Sequence, residues 1–194
     1  MRYPEVTLRL PDWVDEVVPD PTRSYPAIGD RMQVVIELSR QNVRRGTGGP
    51  FAAAVFDSRR HTLVAPGVNL VVPLGCAVAH AEMVAIAIAQ RLMGTHDLGA
   101  AGLPPFELVT STEPCAMCLG SLPWSGIRRL ACGARDEDAR AVGFDEGDKP
   151  VNWPGLLERR GIGVTRDVRR GEAAAVLRQY VDNGGPVYGG VRTP

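Results

Sequence analysis

His80-Ala81-Glu82 and, further on, Pro114-Cys115-Ala116-Met117-Cys118 decide how this chain is read. Zinc takes imidazole nitrogen and thiolate sulfur, and a catalytic site supplies three such ligands and leaves one position open. His80, Cys115 and Cys118 supply one nitrogen and two sulfurs. Glu82 is then a carboxylate beside the metal that is not needed as a ligand and is free to move protons. Pro114 suits the first turn of a helix, where its missing N–H costs nothing. Cys115 and Cys118 would then share one face of that turn, with the positive end of the helix dipole favouring their thiolates. Residues 79–92 read as a second helix with His80 and Glu82 at its start. Residues two apart do not share a helix face, so their convergence depends on the helix terminus.

Blander readings exist for each piece. Cys115-Ala116-Met117-Cys118 alone fits a redox pair, but it leaves His80 and Glu82 without a role. Cys76 or Cys132 could serve as a fourth ligand and close the site into a structural one, or the two could pair as a disulfide. Glutamate is by habit a surface residue. The five-residue combination of His80, Glu82, Pro114, Cys115 and Cys118 favours one catalytic zinc per chain.

Composition narrows the substrate. The chain has 194 residues, 44% hydrophobic and 23% charged, which fits one globular domain with a real core. Basic and acidic residues number 22 each, so the formal net charge is zero. A domain that tracks a nucleic-acid backbone shows a basic excess or stripe. Here the arginine pairs at 44–45, 128–129, 159–160 and 169–170 are scattered, which favours a free small molecule over a nucleic acid. The N-terminus lacks a basic start followed by an apolar run, and no apolar stretch approaches the ~20 residues of a membrane span. The cytoplasm is therefore the expected location, with no membrane partner.

Along the chain, residues 1–26 are proline-punctuated and read as an extended arm, with Trp13 as its anchor; residues 27–194 form the zinc domain and its tail. Helices are expected at 29–45, where Met32, Val35, Ile36 and Val43 form a stripe, at 79–92, from the cysteine pair to about 124, at 136–141, 156–160 and 171–181. Strands are expected at 51–56, 61–65, 106–111, 127–133 and 162–167. Residues 66–78 read as an irregular approach, and 143–154 as a loop rich in acid, glycine and proline. His61 falls at a turn and His96 in a loop, both without ligand spacing. Strands alternating with helices imply an α/β layered sheet covered on both faces, and the early hairpin makes that sheet mixed.

These zinc motifs resemble the cytidine deaminase superfamily. A longer likeness, over residues 31–179, points to its bacterial guanine deaminases, and within them to the subgroup that also deaminates the s-triazine ammeline. Matching segments include Gly49-Pro50-Phe51-Ala52-Ala53-Ala54-Val55-Phe56, Thr95-His96-Asp97-Leu98, Glu107-Leu108-Val109-Thr110-Ser111, Trp124-Ser125-Gly126 and Gly143-Phe144-Asp145-Glu146-Gly147. The resemblance implies a three-layer α/β/α sandwich around a five-stranded mixed sheet, and a homodimer that exchanges C-terminal segments. It also implies that Asn69 binds the polar edge of a base, that Phe51 stacks near its ring, and that the Ala81 backbone touches it. By the same resemblance Phe144 is expected to wall the pocket, Glu82 to shuttle protons and Glu146 to be a second catalytic carboxylate beside the leaving amine. On their residue types alone Glu146 is a solvated loop acid, Asn69 a turn residue and Phe51 core.

The implied reaction is hydrolysis of an amine-bearing ring carbon, C2 if the base is guanine. Two thiolates and one neutral imidazole cancel the charge of Zn²⁺. Water is therefore acidified less than by an all-histidine site, and Glu82 is needed as proton acceptor. Deamination of cytosine, adenine, guanosine or a nucleic-acid base, and a closed zinc-stabilised binding module, are the competing functions.

Overall fold

The computed structural model describes residues 3–18, 20 and 22–188; residues 1–2, 19 and 21 of the expected arm and 189–194 of the tail lie outside them. Strand β1 (Ala52–Asp57) pairs antiparallel with both β2 (Leu63–Val68) and β3 (Phe106–Thr112). β3, β4 (Arg129–Ala134) and β5 (Gly163–Thr165) run parallel. The order β2-β1-β3-β4-β5 is the five-stranded mixed sheet expected from the hairpin.

Alternation along the strands sends successive side chains to opposite faces, and each face carries its own core. Ala52, Ala54, Phe56, Val109 and Ala131 pack with Met32, Val35 and Ile36 of α2 (Ile28–Arg44) and with Ala173, Val176 and Leu177 of α8 (Arg170–Asp182). On the other face Ala53, Val55, Leu108, Leu130 and Cys132 meet Ala81, Ala85 and Ile86 of α4 (Ala81–Met93). Leu122 of α5 (Ala116–Ser125) and Leu157 of α7 (Trp153–Glu158) complete that side. This is the three-layer α/β/α sandwich. Every residue of β1 is buried, and its three alanines let helices approach closely from both sides.

Several boundaries differ from the sequence reading for identifiable reasons. β2 continues through Pro66 and Gly67, where an irregular stretch is expected from the sequence. Because β2 is the sheet edge, a proline without an N–H is tolerated there. Residues 71–74 form a short helix, α3 (Val71–Leu74), within that same stretch. Leu92, at the C-terminal end of α4, is 60% exposed. α7 starts at Trp153 instead of 156, with the Asn152 carboxamide accepting the Gly155 N–H. Trp13 anchors the N-terminal segment, buried and donating through Nε1 to Thr47 Oγ1 at 3.1 Å. That segment is not wholly extended, because α1 (Val14–Val17) makes one helical turn.

Gly67 matters most for the position of the site. A Cβ built there would lie 2.3 Å from the Ala81 carbonyl oxygen and 2.6 Å from the Ala85 nitrogen. Only glycine lets the start of α4 rest directly on β2. α6 (Asp136–Ala141) follows β4 and contacts the loop at 143–152 through Asp136 with Lys149 and Arg140 with the Gly147 carbonyl.

Candidate active site

His80 is the N-cap of α4 and Cys115 the N-cap of α5, both with extended backbone. This corrects the expected local geometry on two points. The residues before the helix proper carry the first ligands, and Pro114 sits two residues before α5, not in its first turn. It also resolves how His80 and Glu82 converge: an extended N-cap turns the imidazole back beside the second residue of its own helix. Cys118, in the first turn of α5, brings the second sulfur to the same point.

The His80 Nδ1 atom lies 3.4 Å from Cys115 Sγ and 3.6 Å from Cys118 Sγ. Tetrahedral zinc with Zn–N of about 2.0–2.1 Å and Zn–S of about 2.3 Å places such ligand atoms about 3.6 Å apart. The three donors therefore already have the spacing of a zinc site, and all their ligand atoms fall within 4.8 Å of one another. Among the described residues no fourth His, Cys, Asp or Glu joins this group. All four cysteines are free, so no Cys76–Cys132 disulfide forms. Cys132 is fully buried in β4, with its thiol pushed well up by burial, and acts as a core residue. Cys76 packs at the edge of the α2–α8 core.

The electrostatics favour sulfur as ligand. A hydrogen bond from Cys118, helped by His80, lowers Cys115 to about 4. Cys118, the donor in that bond and buried besides, is pushed up. Two adjacent thiols thus share a proton that a divalent cation displaces on binding. Burial, and next the Cys115 thiolate, raises Glu82 above the ordinary carboxylate range.

Beside the metal ligands is a small cavity lined by Phe51, Asn69, His80, Glu82, Thr112, Glu113, Cys115, Phe144, Asp145, Glu146 and Tyr188. The residues expected to form the site thus meet at one place, with two exceptions. Cys118 lies behind the wall as a buried ligand. Ala81 is buried in the core between the sheet and α4 and is not among the residues that line the cavity. Being the first residue of α4, Ala81 has an N–H without an intrahelical acceptor. His61 and His96 do not reach the cavity; His61 approaches Arg31, with Nδ1 3.4 Å from Nη1.

Each wall is braced. The Asn69 carbonyl accepts Asn42 Nδ2 at 3.0 Å, and its Oδ1 accepts the Val71 N–H at 3.3 Å. Phe51 meets Phe144 edge-on, with centroids 4.8 Å apart, and Phe144 meets Tyr188 in the same way at 5.6 Å. Glu146 is buried, not the solvated loop acid that its residue type suggests. Burial first and the Cys115 charge second lift its pKa to about 8. Its carbonyl accepts the Ala116 N–H at 2.9 Å, which ties the acidic loop to the start of α5. Gly147, at φ +69°, passes directly over Ala116, where a Cβ would be 2.9 Å from the alanine methyl.

Sequence reasoning missed Tyr188, Thr112, Glu113 and Asp145 as wall residues. Glu113 carries the one local signal, its place directly before Pro114-Cys115. Thr112 Oγ1 is buried without a hydrogen-bond partner, and the buried Tyr188 hydroxyl lies near the Asn69 side chain without a well-formed hydrogen bond. Unpaired polar atoms facing one cavity mark where a polar ligand would bind. If that is their role, Tyr188→Phe should weaken base binding about fivefold, corresponding to one hydrogen bond of about 1 kcal/mol. The ligand-free protein should meanwhile melt no lower, since a buried unpaired hydroxyl is itself costly. KM and melting temperature, measured together, check both halves.

Residues 29–134 match the family described as the cytidine and deoxycytidylate deaminase zinc-binding region. The solved structure of guanine deaminase from Nitrosomonas europaea is 49% identical, covering 91% of this chain and 96% of its own, with a TM-score of 0.86. A similar chain solved with 2,6-diaminopurine is 48% identical, covering 95% and 97%, at a TM-score of 0.89. The guanine deaminase of Bacillus subtilis is 34% identical over 122 residues, or 60% of this chain and 74% of its own. The chain belongs to the cytidine and deoxycytidylate deaminase family. It is a zinc-dependent hydrolytic deaminase.

Proposed function

We propose that this deaminase acts on free guanine, releasing xanthine and ammonia, with ammeline as a second substrate. The observation that carries the reading is the size and closure of the cavity. Its free space is about 60 Å³, far below the 300–1,000 Å³ of pockets for drug-sized ligands. Phe51, Phe144 and Tyr188 wall it with rings. Such a slot suits a flat base. The neutral net charge and the solved guanine deaminase at 49% identity support the same choice.

Zinc, held by His80, Cys115 and Cys118, supplies Lewis acidity toward water. The chain supplies the rest. Asn69 and the Ala81 N–H hold the polar edge of the base, and Phe51 and Phe144 orient its ring. Glu82 takes a proton from the attacking water and delivers it to the ring nitrogen beside C2. As the C2–N bond breaks, the remaining hydroxyl proton passes to the amine, which leaves as ammonia beside Glu146. One water is consumed and one ammonia released. Glu146→Gln should lower kcat by on the order of 10² while base affinity holds, read by single-turnover rates against Kd.

We extend the reading to a cytoplasmic homodimer with exchanged C-terminal segments. Among the described residues no helix is long and apolar enough to cross a membrane. Tyr188 lies in the pocket of its own chain, and exchange would put the partner subunit's tail there. Light scattering gives the mass. Ammonia release from guanine, ammeline, cytosine, adenine and guanosine tests the substrate. Guanine should lead in kcat/KM by tenfold or more; preference for cytosine or guanosine would overturn the choice.

A further inference from the structure

Residues 144–150 have no regular secondary structure, yet this stretch must hold Glu146 beside the metal ligands. Its position therefore rests on side-chain and backbone tethers. Lys149 is the buried one. Its side chain is 7% exposed, and its ammonium donates to the Pro114 carbonyl at 2.8 Å and pairs with Asp136 Oδ1 at 2.6 Å. Pro114 directly precedes the ligand Cys115. Asp136, the first residue of α6, is also a hub. Its N–H donates to Glu113 Oε2 at 3.1 Å, and its Oδ2 accepts Arg140 Nε at 2.6 Å. Arg140 in turn donates to the Gly147 carbonyl at 2.6 Å. Glu113 is held from its other oxygen by Arg166 Nε at 2.6 Å.

A continuous polar chain thus joins the two halves of the site, the Glu113-Pro114-Cys115 segment and the Glu146-Gly147 loop. We infer that Lys149 is a positioning residue that holds Glu146 against the metal-ligand segment, with Asp136 as its partner. The inference deepens the proposed reaction and rests on it for the role of Glu146. The Arg140 tether is about two-fifths exposed and is correspondingly screened, whereas the Lys149 contacts are shielded. Without the ammonium, the Pro114 carbonyl loses its donor and Asp136 loses its shielded counter-charge, and among the described residues no other buried side chain links the loop to the segment before Cys115.

A double-mutant cycle separates positioning from general stability. Lys149→Met should lower kcat on guanine at least tenfold, with KM within threefold and zinc content unchanged. In a Glu146→Gln background the same change should cost less than twofold, because the group it positions is already disabled. Lys149→Arg should recover part of the loss. Amide exchange gives a reading independent of turnover: in Lys149→Met the Ala116 N–H, which bonds the Glu146 carbonyl, should exchange at least tenfold faster, while β3 amides are unchanged. An equal cost in both backgrounds, or an unchanged Ala116 rate, would overturn the inference. Absence of guanine turnover in the unaltered enzyme would instead sink the substrate reading and leave the exchange measurement to decide the tether.

Discussion

Glu82→Gln should keep its fold and its zinc and lose nearly all turnover. Glu82 is buried at the second position of α4, with its carboxylate in the cavity wall beside His80 and Cys115. An amide of the same shape preserves packing but cannot accept a proton. A general acid–base group typically contributes about 10²–10⁴-fold. In the proposed mechanism Glu82 acts at both the attack and the delivery to the ring, so the loss should reach the upper end of that range. Metal analysis and circular dichroism establish that the variant is intact, and kcat gives the effect. Turnover within about threefold of the unaltered enzyme would remove Glu82 from the chemistry.

The second large effect is expected far from any reacting atom. Gly67→Ala puts a methyl 2.3 Å from the Ala81 carbonyl and 2.8 Å from the Ala85 methyl. Neither backbone can yield locally, so α4 must lift from β2. Overpacking of this kind costs about 1–3 kcal/mol of stability. Activity should fall further, because the displaced helix start carries both His80 and Glu82, and a misplacement of about 1 Å can cost about 10² in rate. Gly120→Ala, on an open face of α5 with nothing within 4 Å, is the control. It should be neutral or stabilising by up to about 1 kcal/mol. Equal melting temperature and activity in the Gly67 variant would mean that β2 and α4 are not in the close contact described.

The two cases show what was legible in the sequence. Zinc chemistry dictates residue types and spacing, so His80, Glu82, Cys115 and Cys118 could be found without a fold. The sheet was equally readable, because hydrophobic runs separated by helical periods leave few arrangements. The edges of elements were not. Pro66 and Gly67 look like the end of a strand, and only their place on the sheet edge and under α4 explains their presence within one.

The second half of the site was harder for a different reason. Phe51, Asn69, Phe144 and Glu146 carry no local signal, and only resemblance to a family singled them out. Tyr188 and Lys149 were missed because their contacts cross the chain: Tyr188 reaches Phe144, and Lys149 reaches Pro114 and Asp136. No periodicity records such contacts. Glu146 shows the limit most plainly, since residue habit places it in solvent while folding buries it next to Cys115.

All of these roles depend on an open three-ligand zinc site beside a spare carboxylate, and zinc-edge X-ray absorption on the purified protein tests that directly. The expected result is one zinc per chain with one nitrogen, two sulfurs and one light solvent atom, in accord with the 3.4 and 3.6 Å spacings from His80 Nδ1 to the two sulfurs. A shell containing a third sulfur, from Cys76 or Cys132, would show a closed structural centre and contradict the assignment of catalysis to this site.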